Sequence, residues 1–297
     1  MMKHRNIYAI CLLATLLVAS CSQQTANQNA ASNVDEGASK VVDKADSADQ
    51  AQNADLVNVP APDAKLVLAD IYKQEVKEVA GDQLSDGRYV SYWNGKQFLL
   101  KGKNYFVAFT ESTPPSEIEY PTPEDKVTIS QATYEFVDNQ WQLKKVQADV
   151  GQFGGNNKAP MADTEQKAQS FLSPSGKYFL ALPSFQTAMA GISLSSLELF
   201  VFSEKETSWQ YLGRADSGSD NSAGCAREAD STSPIKCATS TGNIDFTILE
   251  NEEWPLLKVQ MKGTAVGADG KIFELSPKDA REYRYDAKSS VYVEAKR

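Results

Sequence analysis

Ser219, Asp220 and Asn221 form an S-D-N triplet, Ser233 and Lys236 are spaced as S-x-x-K, and Lys262, Gly263 and Thr264 follow. A serine with a lysine one helical turn further on places a nucleophile beside a base, the arrangement that acyl transfer needs. The glycine-rich run Gly151 to Gly155 has the composition of a phosphate-cradling loop, and Asp216 to Asn221 offers oxygen ligands of the kind calcium takes. The many aspartates and glutamates also raise carboxylate-pair hydrolysis.

Each of these chemistries needs more than its first residues. The serine motifs resemble those of serine penicillin-binding enzymes and β-lactamases, in which S-x-x-K comes first, S-D-N second and K-T-G last. Here S-D-N precedes S-x-x-K and the third motif is rearranged, so the stretch reads as a polar loop. The glycine run lacks the Lys-Ser/Thr of a phosphate loop, and the acidic run lacks the spaced glutamate of an EF-hand. No spacing singles out a carboxylate pair. The only histidine is His4, near the start of the chain, which leaves the rest without a Ser-His-Asp triad, a Cys-His pair or a histidine-held metal. No cofactor or metal is expected, and no catalytic residue is assigned.

The N-terminus carries the sharpest signal. Lys3 and Arg5 precede a run of 13 mostly apolar residues, Ile7 to Ala19. That run is shorter than the roughly 17 to 25 residues a spanning helix needs, and it has the form of a secretory leader. Val18-Ala19-Ser20-Cys21 resembles the lipobox of bacterial lipoproteins. The resemblance covers residues 1 to 21 only. It implies cleavage after Ser20, acylation of Cys21 and a membrane anchor. Two or more acyl chains hold firmly where one does not. Ser22, where an aspartate would favour inner-membrane retention, points to the outer membrane. Cleavage would remove Lys3 and Arg5, leaving 28 basic groups against 39 acidic, a balance of −11. Such a chain is a poor nucleic-acid binder and would steer a basic partner toward itself.

These features must be positioned by the elements behind them. Residues 22 to 59 are rich in Ala, Asn, Gln, Ser and Asp, have no aromatic residue, and read as a disordered tether. After Pro60 and Pro62, the spacing of Leu68, Ile71, Tyr72, Val76 and Val79 predicts one amphipathic helix, capped by Asp63 and ended by Gly81. Asn94-Gly95 predicts a hairpin turn. Further hairpins are expected about Asp138 to Gln140, Ser203 to Thr207 and Asp286 to Ser289. The fold class is mainly β: an antiparallel meander of hairpins with one N-terminal helix, in one large or two small lobes. Residues 151 to 166 form a candidate boundary within the domain at 60 to 297.

Cys225 and Cys237 stand in a polar stretch of an exported chain, and a disulfide between them is expected. Ser175-Gly176-Lys177-Tyr178 resembles the S-G-x-Y motif of periplasmic lysozyme inhibitors, whose loop enters a hydrolase cleft. That family's second motif, Y-x-x-x-T-x-G, is absent, and the tetrapeptide also reads as a tight turn into a strand. The expected function is an outer-membrane-anchored, non-enzymatic binding module. Its partners are membrane lipid through Cys21 and a basic envelope protein. Inhibition of, or immunity against, a cell-wall hydrolase is its sharpest form. An assembly accessory lipoprotein and a histidine-free carboxylate hydrolase are the alternatives.

Overall fold

The computed structural model describes residues 56–115, 120–188, 191–227, 236–250, 252–267 and 269–296. Cys21 and the leader lie outside the described residues, as do all but the last four positions of the expected tether. Helix α1 (Ala64–Tyr72) begins where the Asp63 carboxylate accepts from the Lys65 and Leu66 N–H groups. Its apolar stripe, Val67, Leu68, Ile71 and Tyr72, is buried. The helix ends at Lys73, in the left-handed region at φ 57, and does not run to Gly81. Val76 and Val79 still reach the same core, but from non-helical chain, and the Val79 carbonyl accepts from Tyr92 N–H at 3.0 Å. The apolar residues keep helical spacing there although the chain is not helical.

A five-stranded antiparallel sheet runs β1 (Asp82–Gln83), β2 (Tyr89–Leu100), β3 (Lys103–Thr113), β4 (Val127–Val137), β5 (Gln140–Phe153) in order. Asn94-Gly95 is not a turn but lies inside β2, beside a register shift between Tyr92 and Asn94. A bulge of this kind changes which face the following residues take. Val90 and Tyr92 pack under α1, whereas Trp93, Phe98 and Leu100 enter the opposite core. The glycine is needed for closeness: a Cβ at Gly95 would fall 2.2 Å from the Tyr92 hydroxyl. The β2–β3 reversal falls instead at Lys101-Gly102 (φ 51 and 76), and the β4–β5 reversal at Asp138-Asn139 (φ 52 and 61). Two positive φ values in succession are the mark of the type I′ turn, which matches strand twist.

The remaining strands form a ten-stranded sheet: β6 (Met161–Ala162), β7 (Gln169–Leu172), β8 (Tyr178–Thr187), β9 (Ser193–Ser203), β10 (Ser208–Asp220), β11 (Thr239–Thr247), β12 (Leu256–Val266), β13 (Ile272–Glu274), β14 (Arg281–Asp286) and β15 (Val291–Glu294). The hairpins expected after Ser203 and after Asp286 are present. Strands β8 and β9 are buried on both faces. Tyr178, Leu180, Leu182, Phe200 and Phe202 face the first sheet. Phe179, Ala181, Leu197, Leu199 and Val201 face a second core. Double burial explains their nearly unbroken apolar sequences.

Strand β10 pairs with β11 only between Gly218–Asp220 and Thr239–Thr241. The sheet turns a corner there. β11, β12, β14 and β15 then cover the second core with Ile244, Leu257, Val259, Met261, Tyr283 and Tyr292. Three β layers result, with α1 outside the first. Residues 154 to 160 link the two sheets, which share one core: Phe109 stacks on Phe200 at 4.2 Å and Phe98 on Tyr178 at 4.6 Å.

Candidate functional site

Cys225 and Cys237 form the expected disulfide, with Cα atoms 5.3 Å apart. It closes the connection between β10 and β11, where a short helix α2 (Ser222–Arg227) carries Cys225. Ser233 lies outside the described residues. The S-D-N triplet stitches the base of this loop. Asp220 Oδ1 accepts from Ser222 N–H (2.8 Å) and Thr239 Oγ1 (3.2 Å), and Asn221 Oδ1 from Ala238 N–H (2.7 Å). Those bonds, led by the Ser222 N–H, hold the Asp220 carboxyl below its usual value. Thr264 of the K-G-T run accepts from Thr239 N–H at 3.2 Å. Asp216 pairs with Arg281 at 3.0 Å. Among the described residues, Asp216, Asp220 and Asn221 each already have a partner.

Ser175 to Tyr178 form the turn from β7 into β8. Gly176 N–H donates to the Ser173 carbonyl (2.9 Å), Lys177 N–H to Ser173 Oγ (3.0 Å), and Gly176 takes φ 82. The four letters split between two environments. Ser175 is at the surface, and Tyr178 is 1% exposed in the shared core. Lys177 lies between. Its Nζ sits 4.0 Å from the centre of the Trp254 ring and 2.9 Å from Glu253.

Trp254 stacks on Tyr285 at 3.7 Å, and both rings are only partly buried. With Glu252, Glu253 and Arg284 they line a shallow cleft of about 320 Å³. The residues come from the β11–β12 connection and from β14, so nothing local in the sequence joined them to Lys177. The one available signal was a tryptophan set in a polar connection, within Glu252-Glu253-Trp254-Pro255.

The other flank of the turn is basic. A Cβ at Gly176 would lie 4.0 Å from the Lys101 ammonium of the β2–β3 turn. Lys101, Lys103, Lys144 and Lys205, with Tyr105, Glu135, Glu204 and Thr207, line a pocket of about 360 Å³. Lys101 pairs with Glu204 at 2.6 Å, and Glu135 is held by Lys144 (3.1 Å) and Lys103 (3.4 Å). Burial pushes the Glu135 carboxyl up, but the Lys144 hydrogen bond and the two ammonium charges outweigh it and hold it below its ordinary value. Burial, helped by Glu135 and Glu204, raises the Tyr105 phenol to about 12. It stays a donor at neutral pH.

A third cleft, about 600 Å³, lies along the seam between the sheets and is lined by Lys96, Gln97, Gln166, Lys167 and Asn243 among others. Leu56 stands at its edge, and the adjacent Val57 is held by main-chain bonds to two amide side chains: its N–H donates to Asn104 Oδ1 (3.1 Å) and its carbonyl accepts from Gln97 Nε2 (2.8 Å). Trp141 Nε1 donates to the Pro60 carbonyl at 2.8 Å. The chain therefore rests on the fold from Leu56 onward.

Two carboxylates are pushed upward by burial, Glu198 and Glu111. Glu198 is 1% exposed and accepts from Tyr211 and Ser184; Glu111 accepts from Ser91 Oγ (2.6 Å) and Ala159 N–H (3.2 Å). Neither lines the three clefts described above. Compared with family models, with curated proteins and with solved structures, the chain matches none.

Proposed function

We propose that this chain is an exported, lipid-anchored protein of the outer membrane that acts by binding another envelope protein. The anchor reading rests on the leader and Val18-Ala19-Ser20-Cys21. The Cys225–Cys237 disulfide supports export, because such bonds persist in oxidising compartments. The observation that carries the binding reading is Lys177 Nζ at 4.0 Å over Trp254. It joins the Ser175–Gly176 turn to a partly buried Trp–Tyr stack flanked by Arg284, Glu252 and Glu253. Tryptophan, tyrosine and arginine are the residues on which interface energy concentrates. The two glutamates and the acidic chain favour a basic partner, and a cell-wall hydrolase held by an inhibitor or immunity protein is the sharpest form of the reading.

A second reading, an assembly accessory, draws on the β12–β13 hairpin, where Val266, Ile272 and Phe273 are each 43% exposed. One experiment separates the two. The full-length chain, extracted in neutral detergent, is used as bait for envelope proteins at low and high salt. Retention of a basic protein that is lost at high salt, and lost with Glu253→Lys, supports the first reading. Retention unaffected by salt and by Glu253→Lys, but lost with Phe273→Asp, supports the second. Cys21→Ala should release the chain from the membrane fraction, and its staying there would refute the anchor.

A further inference from the structure

We infer that the pocket formed by Lys101, Lys103, Lys144, Lys205 and Tyr105 is a binding site for a phosphate group. Three hairpins contribute to it: the β2–β3 turn and strand β3, the β4–β5 pair, and the β9–β10 turn. Its residues supply four ammonium groups against two carboxylates, Glu135 and Glu204. A local excess of positive charge therefore stands on a chain whose overall formal charge is −9. Glu135 shows how the pocket treats an oxyanion. Two ammonium groups already converge on its carboxylate, at 3.1 and 3.4 Å.

Lys205 is exposed and forms no ion pair among the described residues. Tyr105 adds a neutral donor: the residue is 4% exposed, its hydroxyl has no hydrogen-bond partner among the described residues, and, since no buried side-chain oxygen there lacks one, that hydroxyl opens onto the pocket the residue lines. An anion seated between Lys103, Lys144 and Lys205 would accept that hydrogen bond and the charge-assisted bonds of the lysines together. The volume, about 360 Å³, is at the low end of the range for small-molecule sites and accommodates a phosphate with an organic substituent.

The phosphate could belong to a soluble ester or to a lipid headgroup, and the test separates them. The full-length chain in neutral detergent is titrated calorimetrically at low salt with inorganic phosphate, glycerophosphate and dihexanoyl phosphatidylglycerol, with dihexanoyl phosphatidylcholine as control. Saturable phosphate binding is expected. Lys205→Met and Tyr105→Phe should each weaken it about tenfold. Neither change touches an existing ion pair, and the second keeps the ring in the core. Tighter binding of phosphatidylglycerol than of glycerophosphate assigns a headgroup, and the reverse order assigns a soluble ester. Absence of saturable phosphate binding, or equal affinity in both variants and the parent, overturns the site. The inference does not depend on the protein-binding surface. Glu253→Lys should leave phosphate binding intact while removing the protein partner.

Discussion

The Tyr211 hydroxyl donates to Glu198 Oε2 at 2.5 Å, inside the core that the two sheets share. Ser184 Oγ donates to the other oxygen at 3.0 Å. Burial raises the Glu198 carboxyl above its ordinary 4.5, so the folded chain keeps a proton that the unfolded chain has released. The stability this contributes is complete below about 4.5, declines as pH rises through the raised value, and is absent above it. Unfolding free energies from urea titrations should therefore fall from pH 5 to pH 8. Glu198→Gln should flatten part of that slope, the rest belonging to Glu111, whose carboxyl burial also raises. Tyr211→Phe should cost about 1 to 3 kcal/mol, because a buried carboxyl loses its donor. A Glu198→Gln profile parallel to the parent would refute the account.

Gly95 and Gly102 separate crowding from backbone conformation. A side chain at Gly95 meets Tyr92 and Phe106, whereas at Gly102 there is open space but φ is 76. Asparagine tolerates the left-handed region. Gly102→Asn should therefore change stability by less than about 0.5 kcal/mol, and Gly95→Asn should cost about 1 to 3 kcal/mol. The opposite ranking by thermal or urea unfolding would return the turn to Asn94-Gly95.

The two ends of Ser175–Tyr178 should respond differently to truncation. Tyr178→Ala empties a core position stacked on Phe98 and should cost about 3 to 5 kcal/mol. Ser175→Ala, at the surface, should stay within about 0.5 kcal/mol and act only on partner binding. A large loss of stability from the Ser175 change would show that the turn is part of the core's support.

Replacing Cys225 and Cys237 together by serine should lower stability by about 3 kcal/mol, as the chain-entropy account of a short loop expects. Strand β10 runs from the β9–β10 turn beside Glu204 to the bridged loop at Asp220, which puts the bond at the far end from the turns. Phosphate affinity should then be unchanged in the folded variant. A matching loss of affinity would couple the two ends.

Much of the β architecture was readable where local chemistry decides it. Asp138-Asn139 turns because both residues accept positive φ, and the aromatic runs on either side pair as expected. Asn94-Gly95 misled because the same dipeptide serves a bulge beside Trp93, and only the packing of Tyr92 and Phe106 distinguishes the two uses. The apolar letters of β8 and β9 announced burial but not that it occurs on both faces, which depends on the corner between β10 and β11. The candidate site was legible only at Ser175–Tyr178. Lys177 and Trp254 are 77 positions apart, and the lysines of the pocket span positions 101 to 205; only the completed hairpin stack brings them together.

The segment at Leu56 to Pro60 joins the domain beside Gln97, Asn104 and Trp141, each within a few residues of a turn at the Lys101 end. The Lys101 end of the domain, which holds the lysine pocket, is thus the end at which the described chain enters, and the Cys225–Cys237 bond lies at the other end of β10.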